Sequence, residues 1–245
     1  MPRPETPTVT SAIKQLILDR HLRPGDPMPT ENELVDLLGV SRSSVREAVR
    51  TLVALDILEV RHGHGTFVGG VSLRPLVEAL VFRGVMSPGD DYRTVREVVE
   101  MRTSLDLAMA ETVVERLAGR DAPELRELTR TMVAAAARGE SFAEADCAFH
   151  VGLAALQDNQ LFGQMVGALW EIHSTITPKL GLPTTRDIED TAKAHVTLLE
   201  RAVAGDLDGY RAAVVGHYGP LMRVLDKADP PVPAEAAVPA EGATA

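Results

Sequence analysis

The chain has a single cysteine, Cys147, in 245 residues, which excludes an internal disulfide and leaves dithiol redox chemistry without a second thiol. Long apolar runs are also missing. Stretches such as 76–82 and 133–137 are far shorter than the roughly 20 residues needed to span a bilayer. The opening Met1-Pro2-Arg3-Pro4-Glu5 carries no signal-like apolar segment, so the expectation is a soluble, cytoplasmic protein. Lysine is scarce, supplying 4 of the 25 basic side chains and leaving 21 to arginine. Common catalytic signatures are absent as well: there is no His-Glu-x-x-His, no Gly-x-Ser-x-Gly and no Walker loop. Gly63-x-Gly65 falls between two strand-like runs rather than between a strand and a helix, so it is not a dinucleotide fingerprint. The chain reads as something other than an enzyme, and no internal repeat is evident.

What is present is enough apolar surface, 45% of residues, to bury two cores, a small domain followed by a larger one. The net charge of −10 argues against a nucleic-acid partner until its distribution is considered. Residues 1–70 hold 8 Lys and Arg against 9 Asp and Glu, leaving 17 against 26 for the rest. The acidity therefore lies in the second part.

Residues 8–20 predict a first helix from Val9, Ile13, Leu16 and Ile17, broken by Arg23-Pro24-Gly25-Asp26-Pro27. Thr30-Glu31-Asn32-Glu33 is a capping box opening a second helix, which Gly39 ends. A third helix runs from Ser41 or Ser43 to about Leu55, with Val45, Ala48, Val49 and Leu52 on one face. Two helices joined by about three residues suggest a helix-turn-helix. Leu58-Glu59-Val60-Arg61 and Thr66-Phe67-Val68 flank His62-Gly63-His64-Gly65 and predict a hairpin, or wing. Beyond it the pattern is helical throughout, at about 73–84, 93–118, 123–137, 141–157, 160–176, 187–204 and 206–225. Asp121-Ala-Pro-Glu124 and Ser141-Phe-Ala-Glu144 read as N-caps, and Gly139, Gly181 and Gly205 as stops. The fold class is therefore mainly α: a winged helix-turn-helix followed by an all-α bundle.

On the third helix Arg42, Arg46 and Arg50 recur at i, i+4, i+8, off the apolar stripe, so burial of that stripe turns them outward toward a groove of DNA. Ser43 and Ser44 beside them can donate to phosphates or base edges. Three linked motifs now stand in order: Met28-Pro29-Thr30-Glu31-Asn32-Glu33-Leu34, Val40-Ser41-Arg42-Ser43-Ser44-Val45-Arg46-Glu47-Ala48 and Gly63-His64-Gly65-Thr66-Phe67-Val68. Together they resemble the winged-helix signature of the GntR regulators. The resemblance implies a DNA-binding transcription regulator in which Arg42, Ser43, Ser44 and Arg46 contact DNA from the recognition helix, joined there by Arg50 on the spacing alone. It also implies that His62 and Gly63 belong to a wing that probes the minor groove. Asn32 departs from the arginine common at its position in that family.

Farther on, Glu100-Met-Arg102, Leu105-Asp106, Asp146-Cys-Ala-Phe149-His150 and Asn159 resemble the FadR-type branch of that family, whose all-α effector domain is called FCD; Asp106 replaces the usual glutamate. From spacing alone, Asp146 and His150 at i, i+4 lie on one helix face with Cβ atoms roughly 6 Å apart, close enough to share an ion. The resemblance implies that His195 and His217 complete an Asp/His/His/His site for a divalent metal, with Zn, Ni, Mn and Fe all suited to such donors. It further implies a small organic acid effector held on the metal and by Arg102, with Asn159 close by. Arg102 has an alternative as a surface salt bridge to Glu97 or Glu100, His173 one as a polar core residue, and Cys147, Phe162 and Trp170 read as packing. The metal itself has two alternatives, a purely structural ion or a hydrolytic centre. The resulting division is 1–70 for DNA binding, 71–92 for a linker helix and connection, 93–226 for an FCD-like sensing domain and 227–245 for a disordered tail. A homodimer on a palindromic operator is expected, because one recognition helix reads only a few base pairs. Repression relieved by effector is the expected sign.

Overall fold

The computed structural model describes residues 8–86, 92–179 and 188–228. The chain divides into two compact units, Met1–Leu76 and Val77–Ala245. In the first, α1 (Val9–Asp19), α2 (Glu31–Leu38) and α3 (Arg42–Ala54) precede β1 (Leu58–Arg61) and β2 (Gly65–Val68). Helix α2 starts where the capping box places it: the Thr30 hydroxyl accepts from the Glu33 amide, and the Glu33 carboxylate accepts from the Thr30 amide at 2.7 Å. It stops at Gly39, whose φ of 64° is left-handed. Helix α3 buries Val45, Ala48, Val49 and Leu52 against Ile13 and Ile17 of α1, Leu34 of α2, and Leu58 and Val68 of the strands. Each such side chain stabilises the unit by about 1.5–3 kcal/mol.

The strands pair antiparallel from Leu58 opposite Val68 to Arg61 opposite Gly65, joined through His62, Gly63 and His64. The sequence reading treats 23–27 only as a break. In the structure that segment instead covers the outer edge of β2: the Gly25 amide donates to the Val68 carbonyl, the Val68 amide to Asp26, and the Met28 amide to Thr66, at 2.8–2.9 Å. A buried strand edge needs partners for its backbone groups, and periodicity does not reveal who supplies them. Gly69 sits so close to the Asp56 carbonyl that a Cβ there would approach within 2.5 Å.

Among its described residues the second unit consists of helices joined by turns and short loops, with no strand. After α4 (Arg74–Met86) come α5 (Arg93–Leu117), α6 (Pro123–Ala137), α7 (Ala143–Ala154), α8 (Leu161–Lys179), α9 (Ile188–Val203) and α10 (Leu207–Ala228). The long α5 packs against α7, α8, α9 and α10, while α6 bridges α7 and α9. Polar residues on the inner faces of α5, α7, α9 and α10 therefore meet in one interior. Gly139 and Gly205 end α6 and α9 with φ of 67° and 73°, as their positions suggest; Gly181 lies outside the described residues.

Two expected caps are not used as caps. Helix α6 begins after Ala122 without a side-chain cap, because the Asp121 carboxylate is engaged by Arg126 at 3.1 Å. Helix α7 begins after Phe142, and the Ser141 hydroxyl reaches only the Ala143 amide, at 3.4 Å. The tail expected from 227 loses its first two residues to α10, and 229–245 lie outside the described residues. No described helix is long and apolar enough to cross a membrane.

Candidate DNA interface and candidate metal centre

Burial of the α3 stripe leaves Arg42, Arg46 and Arg50 exposed on the opposite face. Ser41 caps the helix by accepting from the Ser44 amide at 3.1 Å, and its hydroxyl also lies 2.8 Å from those of Ser43 and Ser44. Ser43 is exposed and Ser44 half-buried. The three arginines differ in their partners. Arg46 donates from Nε to Glu31 at 2.8 Å, Arg50 faces Glu47 at 3.6 Å, and Arg42 has no ion-pair partner among the described residues. His62 and Gly63 stand exposed at the hairpin tip, where Gly63 takes a φ of 77°. Below them Arg61 lies over the Phe67 ring at 4.3 Å and pairs with Glu59 at 2.8 Å, stiffening the wing.

The second candidate site is built in the opposite way, from buried polar groups. His150 of α7, His195 of α9 and His217 of α10 are 1%, 0% and 8% exposed, and each brings one ring nitrogen within 4.8 Å of the other two. Asp146, one turn before His150, reaches Nε2 of His195 at 3.3 Å and Nε2 of His150 at 3.4 Å. The Nε2 atoms of His150 and His217 are 3.3 Å apart. All four sequence-predicted ligands thus converge.

The proton inventory at this cluster is informative. His195 Nδ1 lies 2.8 Å from the Thr191 carbonyl, which can only accept, so Nδ1 carries the hydrogen. Nε2 faces the Asp146 carboxylate at 3.3 Å, so the pair is completed either by a proton on Nε2 or by a metal ion between them. Three donor separations of 3.3–3.4 Å, with the three histidine nitrogens all within 4.8 Å of one another, are short enough for the donors to share one ion. Burial would raise the Asp146 carboxyl, but His195, His150 and Arg102 outweigh it and hold the group far below the usual carboxylate range. Burial, reinforced by repulsion from His195 and His150, pushes the His217 imidazolium well below its ordinary value, leaving a neutral ring with a lone pair to offer. The donor set, one carboxylate and three imidazoles, suits a divalent cation.

Around the four donors lies a supporting layer. Asp106 of α5 accepts from the Tyr218 hydroxyl at 2.7 Å and stands 3.3 Å from His150 Nδ1, within ion-pair reach but not aligned for a hydrogen bond. Burial tends to raise Asp106; His150, Tyr218 and Arg102 more than offset this and keep it anionic. Phe142 and Phe149 set their ring edges against His195. Sequence reasoning registered Asp106 only as a departure from a motif and missed Tyr218, which neighbours a predicted ligand but offers no periodic signal of its own.

Arg102, one turn before Asp106, is 5% exposed. Its guanidinium lies 5.3 Å from the Tyr218 ring centre and has no carboxylate within 4.0 Å among the described residues. The surface salt bridge considered for it is not formed: Glu97 is held by Arg83 and Arg93 instead, and Glu100 is exposed. Burial works against its charge, but Tyr218, Asp146 and Asp106 more than compensate.

Asn159 is exposed between α7 and α8, where its side-chain oxygen accepts from the Leu161 amide at 3.0 Å at the start of α8. His173 of α8 is half-buried with an unpartnered Nδ1; burial, then Arg102, lowers it to about 4. Cys147, Phe162 and Trp170 are half-buried, and burial raises the Cys147 thiol.

The profile described as "Bacterial regulatory proteins, gntR family" matches residues 6–68, and the FCD domain profile matches residues 97–219. The chain is 27% identical to the HTH-type transcriptional regulator LutR of Bacillus subtilis over 86% of its own length and 96% of that protein's. It is 24% identical to the galactonate operon transcriptional repressor of Escherichia coli (82% and 88% covered), and 26% identical to that organism's putative L-lactate dehydrogenase operon regulatory protein (94% and 89%). The solved structure of a Streptococcus agalactiae GntR protein superimposes with a TM-score of 0.63 at 25% identity, covering 88% of this chain and 97% of that one. These families and relatives are transcription regulators, not enzymes. With a gntR-type winged helix at its start and an FCD domain across half its length, the chain belongs to the GntR family of DNA-binding transcription regulators, in the branch that carries an FCD effector domain.

Proposed function

We propose that this regulator is a cytoplasmic repressor, acting as a homodimer on a palindromic operator, whose grip on DNA is relaxed by a small carboxylate bound in the second unit. Arg42, Ser43, Ser44, Arg46 and Arg50 read or anchor the major groove, and the His62–Gly63 tip follows the adjacent minor groove. In the second unit Asp146, His150, His195 and His217 hold a divalent ion. Such an ion, when bound, supplies positive charge and a coordination position for an effector oxygen. Asp106 and Tyr218 keep His150 and its surroundings in place, and Arg102 clamps the effector carboxylate through charge-assisted hydrogen bonds.

One observation carries this reading: Arg102 is a buried cation without a carboxylate partner, set among the residues that surround the Asp/His cluster. Asp146 and Asp106 favour its charge without touching it, and an incoming carboxylate would supply a direct partner. Similar proteins are named for lactate and galactonate operons, which supports a hydroxycarboxylate as the effector class. Effector binding can change operator affinity only by its preference for one arrangement of the two units.

A purely structural ion is the second reading, favoured by the near-complete burial of all three histidines. Elemental analysis of purified wild type, His150→Ala and His195→Ala tests the metal. About one ion per chain, lost in both variants, supports it. Operator binding of the metal-loaded protein is then measured with L-lactate, D-galactonate and non-hydroxylated acids of matching length. A weaker complex with one acid, unresponsive in Arg102→Ala, supports sensing; indifference to every acid leaves the structural ion.

A further inference from the structure

The three outward arginines of α3 are not equivalent, and the difference comes from α2. Arg42 has no ion-pair partner among the described residues. Arg50 faces only Glu47 on its own helix, at 3.6 Å, both side chains being about three-quarters exposed. Arg46 alone is tied across the helix-turn-helix, its Nε donating to Glu31 Oε2 at 2.8 Å. We propose that Glu31 is a specificity-determining residue, a positioning carboxylate that orients Arg46 so that the terminal edge of its guanidinium meets one base.

The chemistry of the pair supports this. A guanidinium has five N–H donors in a rigid plane. With Nε committed to Glu31, the edge formed by the two terminal nitrogens stays free, and that edge matches the O6 and N7 acceptors of guanine. Glu31 lies in the first turn of α2, where the helix dipole favours a carboxylate. Glu33, the other acid of that turn, is occupied by Thr30 and does not compete. The Arg46 and Glu31 side chains are 55% and 42% exposed, so the pair adds little to folding. What it does add is direction: an otherwise mobile arginine is held in one orientation before DNA arrives. A carboxylate beside a phosphate backbone also lowers sequence-independent affinity, so its gain is confined to discrimination.

The inference rests on Arg46 touching a base, and the test separates the two assignments. Full-length wild type, Arg46→Ala, Glu31→Ala and Glu31→Gln are each used to select duplexes from a random-sequence DNA pool. Base preferences at every position are read by sequencing, and thermal unfolding checks that each variant is folded. Arg46→Ala should erase the preference at one base pair per half-site. Glu31→Ala should relax that same base pair by about 5- to 10-fold, within the range of one bidentate contact. Other positions should be unchanged, and affinity for unselected duplex equal or higher. Glu31→Gln should restore most of the preference, because an amide oxygen still accepts from Nε. Unchanged preferences in Glu31→Ala, a loss spread evenly over all positions, or a Gln variant no better than Ala overturns the role of Glu31 while leaving Arg46 in place. An Arg46→Ala variant that alters no base preference removes the base contact itself, and the role of Glu31 with it.

Discussion

The two units place their polar side chains in opposite environments. In the first, Arg42, Arg46 and Arg50 project from a helix whose other face is buried, and the polar groups stay in water. In the second, Arg102, Asp106, His150, His195 and His217 are at most 8% exposed and meet inside a helical bundle. The contrast separates two kinds of specificity. Exposed polar groups cost little to keep and can be changed without unfolding the protein. Buried ones must be satisfied by one another or by a ligand, so recognition and stability are coupled there.

The largest expected effect tests that coupling directly. Removing divalent metal with a chelator should lower the unfolding temperature of the second unit and leave the first unit's transition where it is. Occupancy at 100 times the dissociation constant stabilises by about 2.7 kcal/mol. Scanning calorimetry with and without chelator, repeated on His195→Ala, reads this; a variant that still responds to chelator would place the metal elsewhere.

Asp106→Asn comes next. It withdraws the anion that faces His150 and accepts from Tyr218, at a cost of about 1–3 kcal/mol in stability and roughly 10- to 100-fold in metal affinity. Denaturant titration and competition with a metal indicator would detect both losses, and a normal result in both would make Asp106 dispensable. Arg46→Ala is the matching change in the first unit. Operator affinity should fall by about 1–3 kcal/mol with stability unchanged to within about 0.5 kcal/mol. A comparable fall in stability would erase the distinction between the two units.

The smallest effect is a pH dependence confined to the second unit. His173 is lowered to about 4 from an ordinary 6.5, so below pH 6.5 the unfolded chain binds a proton that the folded one refuses. Stability from this group is complete above pH 6.5 and declines as pH falls toward 4, by about 1.4 kcal/mol at pH 5.5. His173→Gln should flatten that part of the profile; equal slopes in the two proteins would show that His173 is not the group responsible.

Much of this architecture is legible in the chain because it follows local rules. The α2 capping box, the α3 stripe, the hairpin and the helices beyond it come from spacings of three, four and two residues, and the structure reproduces them within a few residues. The misread features depend on competition. Asp121 is drawn away from its cap by Arg126, a choice that a cap signature cannot register. Gly25, Asp26 and Met28 pair with β2 although nothing in their own pattern is strand-like.

The sequence by itself determined a winged helix-turn-helix joined to a helical domain, the outward arginines, and four donors capable of sharing an ion. Local periodicity and motif spacing suffice for the helices, the arginines and the Asp146–His150 pair, each written within a few consecutive residues; His195 and His217 joined that pair only through the family resemblance. Only the tertiary structure decided that Arg102 is buried with no carboxylate within 4.0 Å among the described residues, that Asp106 and Tyr218 brace the cluster, and that Glu31 holds Arg46. These pairings join residues 15 or 112 positions apart in the chain, and the packing of one helix on another selects them from among the many charged partners the sequence offers.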